Sequence, residues 1–209
     1  MKLYSTLYNS LYNFVILTSK LYKIDESHAL KHSMDVFYLS NKLYESELKQ
    51  NPQLQEQKLI IDSSAILHDM CDKKYIDQKE GLNRIKNHMV DVIPSNDLNV
   101  ILEIISTMSY STVKKNGFPN LNEYQMAYDI VREADLLTSY DYERSIIYNM
   151  YKNNESYIDS IQSAKDLFRR RVFKYNRDNL FKLEHSKKLS SELYIESLRK
   201  INLIDRSIF

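Results

Sequence analysis

The chain is poor in the residues that punctuate and cross-link folds. Its 209 residues include one cysteine, two glycines, three prolines and no tryptophan. Cys71 has no second cysteine to pair with, so the disulfide framework of small secreted proteins is excluded and a reducing compartment, the cytoplasm, is the expected setting. Gly81 and Gly117 alone cannot write a GxGxxG or GxxxxGK[ST] loop, which excludes glycine-cradled nucleotide binding. An excess of one charge is also missing. Lys and Arg number 29 against 28 Asp and Glu, a net charge of +1, which argues against a chain built mainly to hold nucleic acid or an acidic membrane. The one apolar run near the start, Phe14-Val15-Ile16-Leu17, is hemmed in by Tyr12, Asn13, Thr18, Ser19 and Lys20. It is too short to cross a bilayer and carries no small-residue cleavage pattern.

What is present points to helices. Apolar residues recur at three- and four-residue spacing through long stretches free of Gly and Pro, which favours amphipathic helices over alternating strands. The expected fold is all-α and a single domain over residues 1–209, large enough to fold on its core without a disulfide or structural metal. The periodicity predicts helices over about 3–22, 26–49, 54–70, 78–91, 96–110, 122–152, 155–174 and 188–202. Asp25 and Asn51-Pro52 are expected helix starts, and Asn116-Gly117-Phe118-Pro119-Asn120 the clearest loop. No internal repeat or linker divides the chain. From about residue 154 onward it turns basic, with Arg169-Arg170-Arg171, Lys174, Arg177 and Lys187-Lys188, a pattern that usually marks a solvated helix face.

Histidine is scarce, and its placement is informative. His28 and His32 stand four apart, on one face if the segment is helical. His68-Asp69 ends the apolar run Leu59-Ile60-Ile61-Asp62-Ser63-Ser64-Ala65-Ile66-Leu67, and Asp72 follows four residues after His68, so on a helix three polar heads leave a core element toward one point. Asp135 lies in a second apolar context, Ile130-Val131-Arg132-Glu133-Ala134-Asp135-Leu136-Leu137. Buried imidazole and carboxylate groups in such number call for a shared partner, and a divalent cation satisfies several together. Without thiolate, the donor set suits Mn²⁺, Fe²⁺, Co²⁺, Ni²⁺ or Mg²⁺ better than a closed zinc site.

An early His, an apolar helix ending in His-Asp and a distant Asp in Ala134-Asp135-Leu136 together resemble the HD-domain metal-dependent phosphohydrolase superfamily. Asp25-Glu26-Ser27-His28-Ala29-Leu30-Lys31-His32 is similar to its entry motif. Leu67-His68-Asp69-Met70-Cys71-Asp72-Lys73-Lys74-Tyr75 resembles the core of the small HD-domain nucleotide pyrophosphohydrolases, and Ile105-Ser106-Thr107-Met108-Ser109-Tyr110 falls where those proteins carry an Ile, Ser, aromatic segment. The resemblance covers about residues 20–150, leaving 154–209 as a helical C-terminal segment. It implies an HD-type bundle with His32, His68, Asp69 and Asp135 as ligands of one divalent cation. Asp72 would then orient or deprotonate the attacking water, and Lys74, with His28, would contact substrate phosphate. It implies a nucleotide or other phosphorylated small molecule as substrate, a triphosphate cleaved to monophosphate and pyrophosphate. In the last motif Glu133 stands where the family has Asp, and Leu136 where it has Arg, a departure at the substrate pocket.

Other readings stay open on the same residues. The site could serve a nucleoside monophosphatase or a cyclic-nucleotide phosphodiesterase, or the fold could be catalytically idle and bind a partner through its basic C-terminal segment. Lys74 also reads as a solvated cation, His28 as a surface hydrogen bonder, and Arg132 as an ion-pair partner of Asp135, three residues on. The 17 tyrosines read mostly as core residues with hydroxyls at the surface. Tyr110 and Tyr140, near the site-bearing segments, are the two placed to stack a base. His88 and His185 have no acidic neighbour at ligand spacing.

Overall fold

The computed structural model describes residues 2–208, and these are helical throughout, with no strand among them. Ten α-helices follow in order: α1 (Lys2–Tyr22), α2 (Leu30–Leu48), α3 (Lys58–Leu67), α4 (Gln78–Met89), α5 (Ser95–Thr107), α6 (Tyr110–Asn116), α7 (Gln125–Thr138), α8 (Tyr142–Lys152), α9 (Tyr157–Arg170) and α10 (Glu184–Ile208). Short 3-10 segments at Pro52–Gln57, His68–Cys71, Asn122–Tyr124 and Val172–Lys174 tighten the connections. None of the described helices is long and apolar enough to cross a membrane.

The organising element is α3. Every residue from Ile60 to Leu67 is buried, and α1, α2, α5 and α7 pack around it. A helix apolar on all sides is stable only when enclosed in this way. Asp62, the one acid in that run, accepts hydrogen bonds from Tyr8 Oη at 2.6 Å and Asn41 Nδ2 at 3.2 Å and pairs with Lys58, so its burial leaves no bare charge. The C-terminal third belongs to the same core rather than forming an appendage. Phe168, Val172, Tyr175, Phe181, Leu183 and Leu189 join the main buried cluster. The buried Glu133 carboxylate accepts the N–H groups of Lys182 and Leu183, and Arg132 donates to the carbonyl of Leu180. These bonds clip the start of α10 to α7.

Four expectations change. The helix expected from residue 26 begins at Leu30, because Asp25 captures the N–H and hydroxyl of Ser27 and the 25–28 segment closes as a turn, His28 N to Asp25 O 2.9 Å. A short polar side chain bonding its own backbone competes with a helix start. The helix expected over 122–152 is broken at residues 139–141. Thr138 and Ser139 bond back to the carbonyls of Asp135 and Leu136, and Asp141 caps a new helix through the N–H of Arg144. The helix expected over 54–70 has 3-10 segments at both ends, and α10 starts at residue 184 rather than 188. Helix α6 went unforeseen, although Ser109 is an ordinary N-cap accepting from Thr112 N at 3.2 Å. Asn51-Pro52 does open a helical segment, and the 116–120 loop stands, with Gly117 at φ 78° where a side chain would be strained.

Gly81 marks a close approach of two backbones. A Cβ there would lie 2.7 Å from Cys71 Cα and 3.0 Å from the Met70 carbonyl, so α4 presses its backbone against the His68–Cys71 turn. Gly81→Ala should lower stability by about 1–3 kcal/mol, the usual cost of overpacking. Urea denaturation checks this, and a variant as stable as the wild type would show that the turn yields freely.

Candidate metal centre

Where α3 stops, its last carbonyls lack helical partners. His68 Nδ1 lies 2.9 Å from the carbonyl of Ala65. That bond places the proton on Nδ1 and leaves the Nε2 lone pair facing inward, the arrangement in which an imidazole ligates a metal. His32, in the first turn of α2, brings its Nε2 to 2.9 Å from His68 Nε2. Asp69 Oδ2 is 3.2 Å from His32 Nε2 and 3.3 Å from His68 Nε2, and Asp135 Oδ1, from α7, is 3.4 and 3.7 Å from the same two nitrogens. Both imidazoles are almost fully enclosed, at 1% and 3% side-chain exposure, while Asp135 is 25% exposed and opens the cluster on one side.

These spacings test whether an ion fits. Donors about 2.1 Å from one cation stand about 3.0 Å apart in an octahedron and about 3.4 Å apart in a tetrahedron. The observed separations, from 2.9 to 3.7 Å, bracket that range. The Nε2 atoms of His32 and His68 and a carboxylate oxygen of Asp135 all lie within 4.8 Å of one another and could hold a metal ion. Asp69 Oδ2 is buried with no hydrogen bond, an orphan beside two imidazoles that a cation would satisfy.

The electrostatics agree. Burial pushes both carboxyls upward, yet the imidazoles overcome it and keep Asp69 and Asp135 below the ordinary carboxylate range. Burial likewise disfavours charge on His68, but Asp69 and Asp135 win and its pKa is pushed up to about 9. With no cation the cluster holds a proton on His68; a cation competing for the same lone pair displaces it.

A cavity of about 470 Å³ opens from this cluster, and Asp72, Lys74, Arg144, Tyr148 and Arg171 are among the residues that line it. Lys74 Nζ lies 2.8 Å from His28 Nε2 and 3.0 Å from Asp72 Oδ2, so three residues singled out in the sequence form one chain of contacts. Burial depresses the His28 pKa well below the usual value, with Lys74 and Arg144 adding to it against Asp69. Its Nδ1 meets Ser27 Oγ at 2.6 Å and Tyr75 Oη at 3.3 Å. His28 is therefore neutral and inward-facing rather than a surface hydrogen bonder.

The local conformations differ from those expected. His28 lies in the turn before α2, not on its face, although its ring is 6.0 Å from that of His32. Asp72 lies beyond the 3-10 turn in extended backbone, where Oδ1 accepts Lys74 N at 2.9 Å, so no helical face aligns it with His68 and Asp69. Arg132 does not pair with Asp135; it stands 3.6 Å from Glu133, bonds the Leu180 carbonyl and stacks on Phe118. Tyr140 is buried against Tyr175 and does not line the cavity, whereas Tyr110 does. His88 stacks on Phe14 at 4.9 Å.

Two arginines escaped sequence reasoning. Arg144 Nη2 lies 3.0 Å from His32 Nε2, and the same guanidinium holds the Ser27 carbonyl and Thr138 Oγ1. Its position 112 residues from His32 leaves no spacing to read. Arg171 had been grouped with two solvated neighbours, and only its conformation at the end of α9 separates it from them.

No protein-family model and no curated protein matches the chain. Among solved structures, a structural-genomics target from Lactobacillus plantarum matches with a TM-score of 0.69, 16% identity and 95% coverage of both chains. At that identity the likeness concerns the fold alone. It extends through the C-terminal third, so the whole chain is one recurring architecture.

A cluster with this geometry should bind about one divalent ion per chain when purified without chelator. His68→Ala and Asp69→Ala should each abolish that binding while preserving the helical circular-dichroism spectrum, since the core does not depend on the ion. Elemental analysis decides. Wild-type stoichiometry in either variant would remove that residue from the ligand set.

Proposed function

We propose that the protein is a metal-dependent phosphohydrolase acting on a nucleotide, with His32, His68, Asp69 and Asp135 as ligands of one divalent cation. The observation that carries this reading is an imidazole–carboxylate cluster in the wall of a cavity that is also lined with cations: Lys73, Lys74, Arg144 and Arg171. An acid-ligated centre suits a hard divalent ion, and a cationic wall suits an anionic substrate. The sequence resemblance to the small HD-domain pyrophosphohydrolases points the same way.

A bound cation would supply a water of lowered pKa and charge compensation at phosphorus. The chain's own groups do the rest. Asp72, held in place by the Lys74 amide, accepts the proton of the attacking water. Lys74 brings its ammonium to the phosphate oxygens, steadied by His28 and Asp72. Because His28 is neutral, it accepts from Lys74 and leaves that charge undiminished for the substrate. Arg144 places a guanidinium beside His32, where it opposes negative charge that grows in the transition state.

A hydrolysis screen over nucleotides with Mn²⁺, Co²⁺, Ni²⁺ or Mg²⁺, reading phosphate and pyrophosphate separately, tests the proposal. Nucleoside triphosphates should yield pyrophosphate. Orthophosphate released only from monophosphates would favour a phosphatase, and a metal-loaded protein inert on every substrate would favour the binding-module reading. Asp72→Asn should retain the metal and lose about 10²–10⁴-fold in turnover, the usual cost of removing a general base; loss of metal with turnover would make Asp72 part of the metal centre. Lys74→Ala should weaken triphosphate hydrolysis by about 1–3 kcal/mol, the range for a charge-assisted contact, and leave any monophosphatase activity nearly intact. Equal losses on both substrates would place Lys74 at the reacting phosphate only.

A further inference from the structure

Helix α9 ends at Arg170, and Arg171 follows with φ −131° and ψ −65°, outside helical geometry. This single residue's departure separates three consecutive arginines. Arg169 and Arg170 stay exposed on the helix, whereas Arg171 is half-buried and lines the cavity. Its Nε donates to Tyr175 Oη at 2.9 Å, and its guanidinium lies over the Tyr110 ring, 3.9 Å from the centroid. One hydrogen bond and one aromatic face fix the plane of the fork. Neither supplies negative charge, and among the described residues no carboxylate pairs with Arg171. A half-buried cation left uncompensated by the protein, with its terminal amino groups uncommitted, is suited to grip an oxyanion with two parallel hydrogen bonds.

Its place relative to the metal centre follows from α7. Ser139 caps the C-terminus of that helix in αR geometry, one turn beyond Asp135, which places the two side chains near one another. Ser139 Oγ meets Tyr175 Oη at 3.2 Å, and Tyr175 holds Arg171. The His–Asp cluster with Lys74, and Arg171 on its two tyrosines, are thus two separate groups lining one cavity, connected through Ser139 and Tyr175. A phosphate monoester seated at the cluster needs no second cationic group of this kind.

We propose that Arg171, positioned by Tyr110 and Tyr175, forms a second phosphate subsite that anchors the part of a polyphosphate substrate lying away from the metal centre. The identity of the anion as phosphate rests on the phosphohydrolase reading; the subsite itself does not, so it is tested without turnover. Calorimetric titration of chelator-treated protein with inorganic pyrophosphate should show binding in the wild type. Arg171→Met should weaken it about tenfold or more, and Arg171→Lys, which keeps the charge and loses the fork, should fall between. Tyr175→Phe, which leaves all charges in place but frees the guanidinium, should weaken pyrophosphate several-fold. All three variants should keep the metal stoichiometry of the wild type. Absence of pyrophosphate binding in the wild type, or wild-type affinity in Arg171→Met, would overturn the subsite. Should Arg171→Met fail to fold, Arg171→Lys decides, and undiminished affinity there overturns it equally. Hydrolysis lost from the screen while Arg171-dependent pyrophosphate binding persists would refute the enzyme and leave the subsite standing.

Discussion

The structure turns on the point where α3 ends. A helix buried on every side delivers its C-terminus to the middle of the protein, where unpaired carbonyls are costly. His68 satisfies one of them through Nδ1 and in doing so aims Nε2 at His32, Asp69 and Asp135. Backbone accounting and metal-ligand geometry are therefore met by the same side chain. The close approach of Gly81 to the following turn holds this arrangement from the other side, since no side chain could be accommodated between α4 and the residues that carry the donors.

Three separate helical segments must agree for the cluster to form. His32 comes from the start of α2, His68 and Asp69 from the turn that ends α3, and Asp135 from the last turn of α7. The C-terminal third supports them indirectly. Glu133 and Arg132, on the turn of α7 before Asp135, engage the backbone at residues 180–183, so the helix that presents Asp135 is tied to the segment that leads into α10. The 16%-identical structure covers 95% of the chain, so the C-terminal third is part of the fold the two share.

The charge distribution within the cavity is uneven in a useful way. Asp69 and Asp135 lie at the candidate metal centre with Arg144 beside them, Lys73, Lys74 and Arg171 stand elsewhere along the wall, and His28 contacts Lys74. A net charge near zero over the whole chain conceals this separation, because composition averages what the fold segregates.

Much of the protein was legible before any coordinates. Three- and four-residue spacing and the lack of Gly and Pro determined an all-α fold, and within such a fold a run as apolar as residues 59–67 is expected to be a core helix. The His68-Asp69 pair at its end and Asp135 stood out because buried polar groups beside apolar runs need partners, whereas His32 was singled out from His28 only by the resemblance of residues 25–32 to the HD-domain entry motif. The tertiary structure decided what periodicity does not encode. The Asx turn at Asp25 removed His28 from α2, hydrogen bonds back to the helix broke the chain after Ser139, and the 3-10 turn took Asp72 off the helical face. Arg144 and Arg171 entered the cavity only by tertiary proximity. Their roles depend on which way a long side chain leaves its helix end, and that is set by φ, ψ and the packing of distant residues rather than by sequence neighbours.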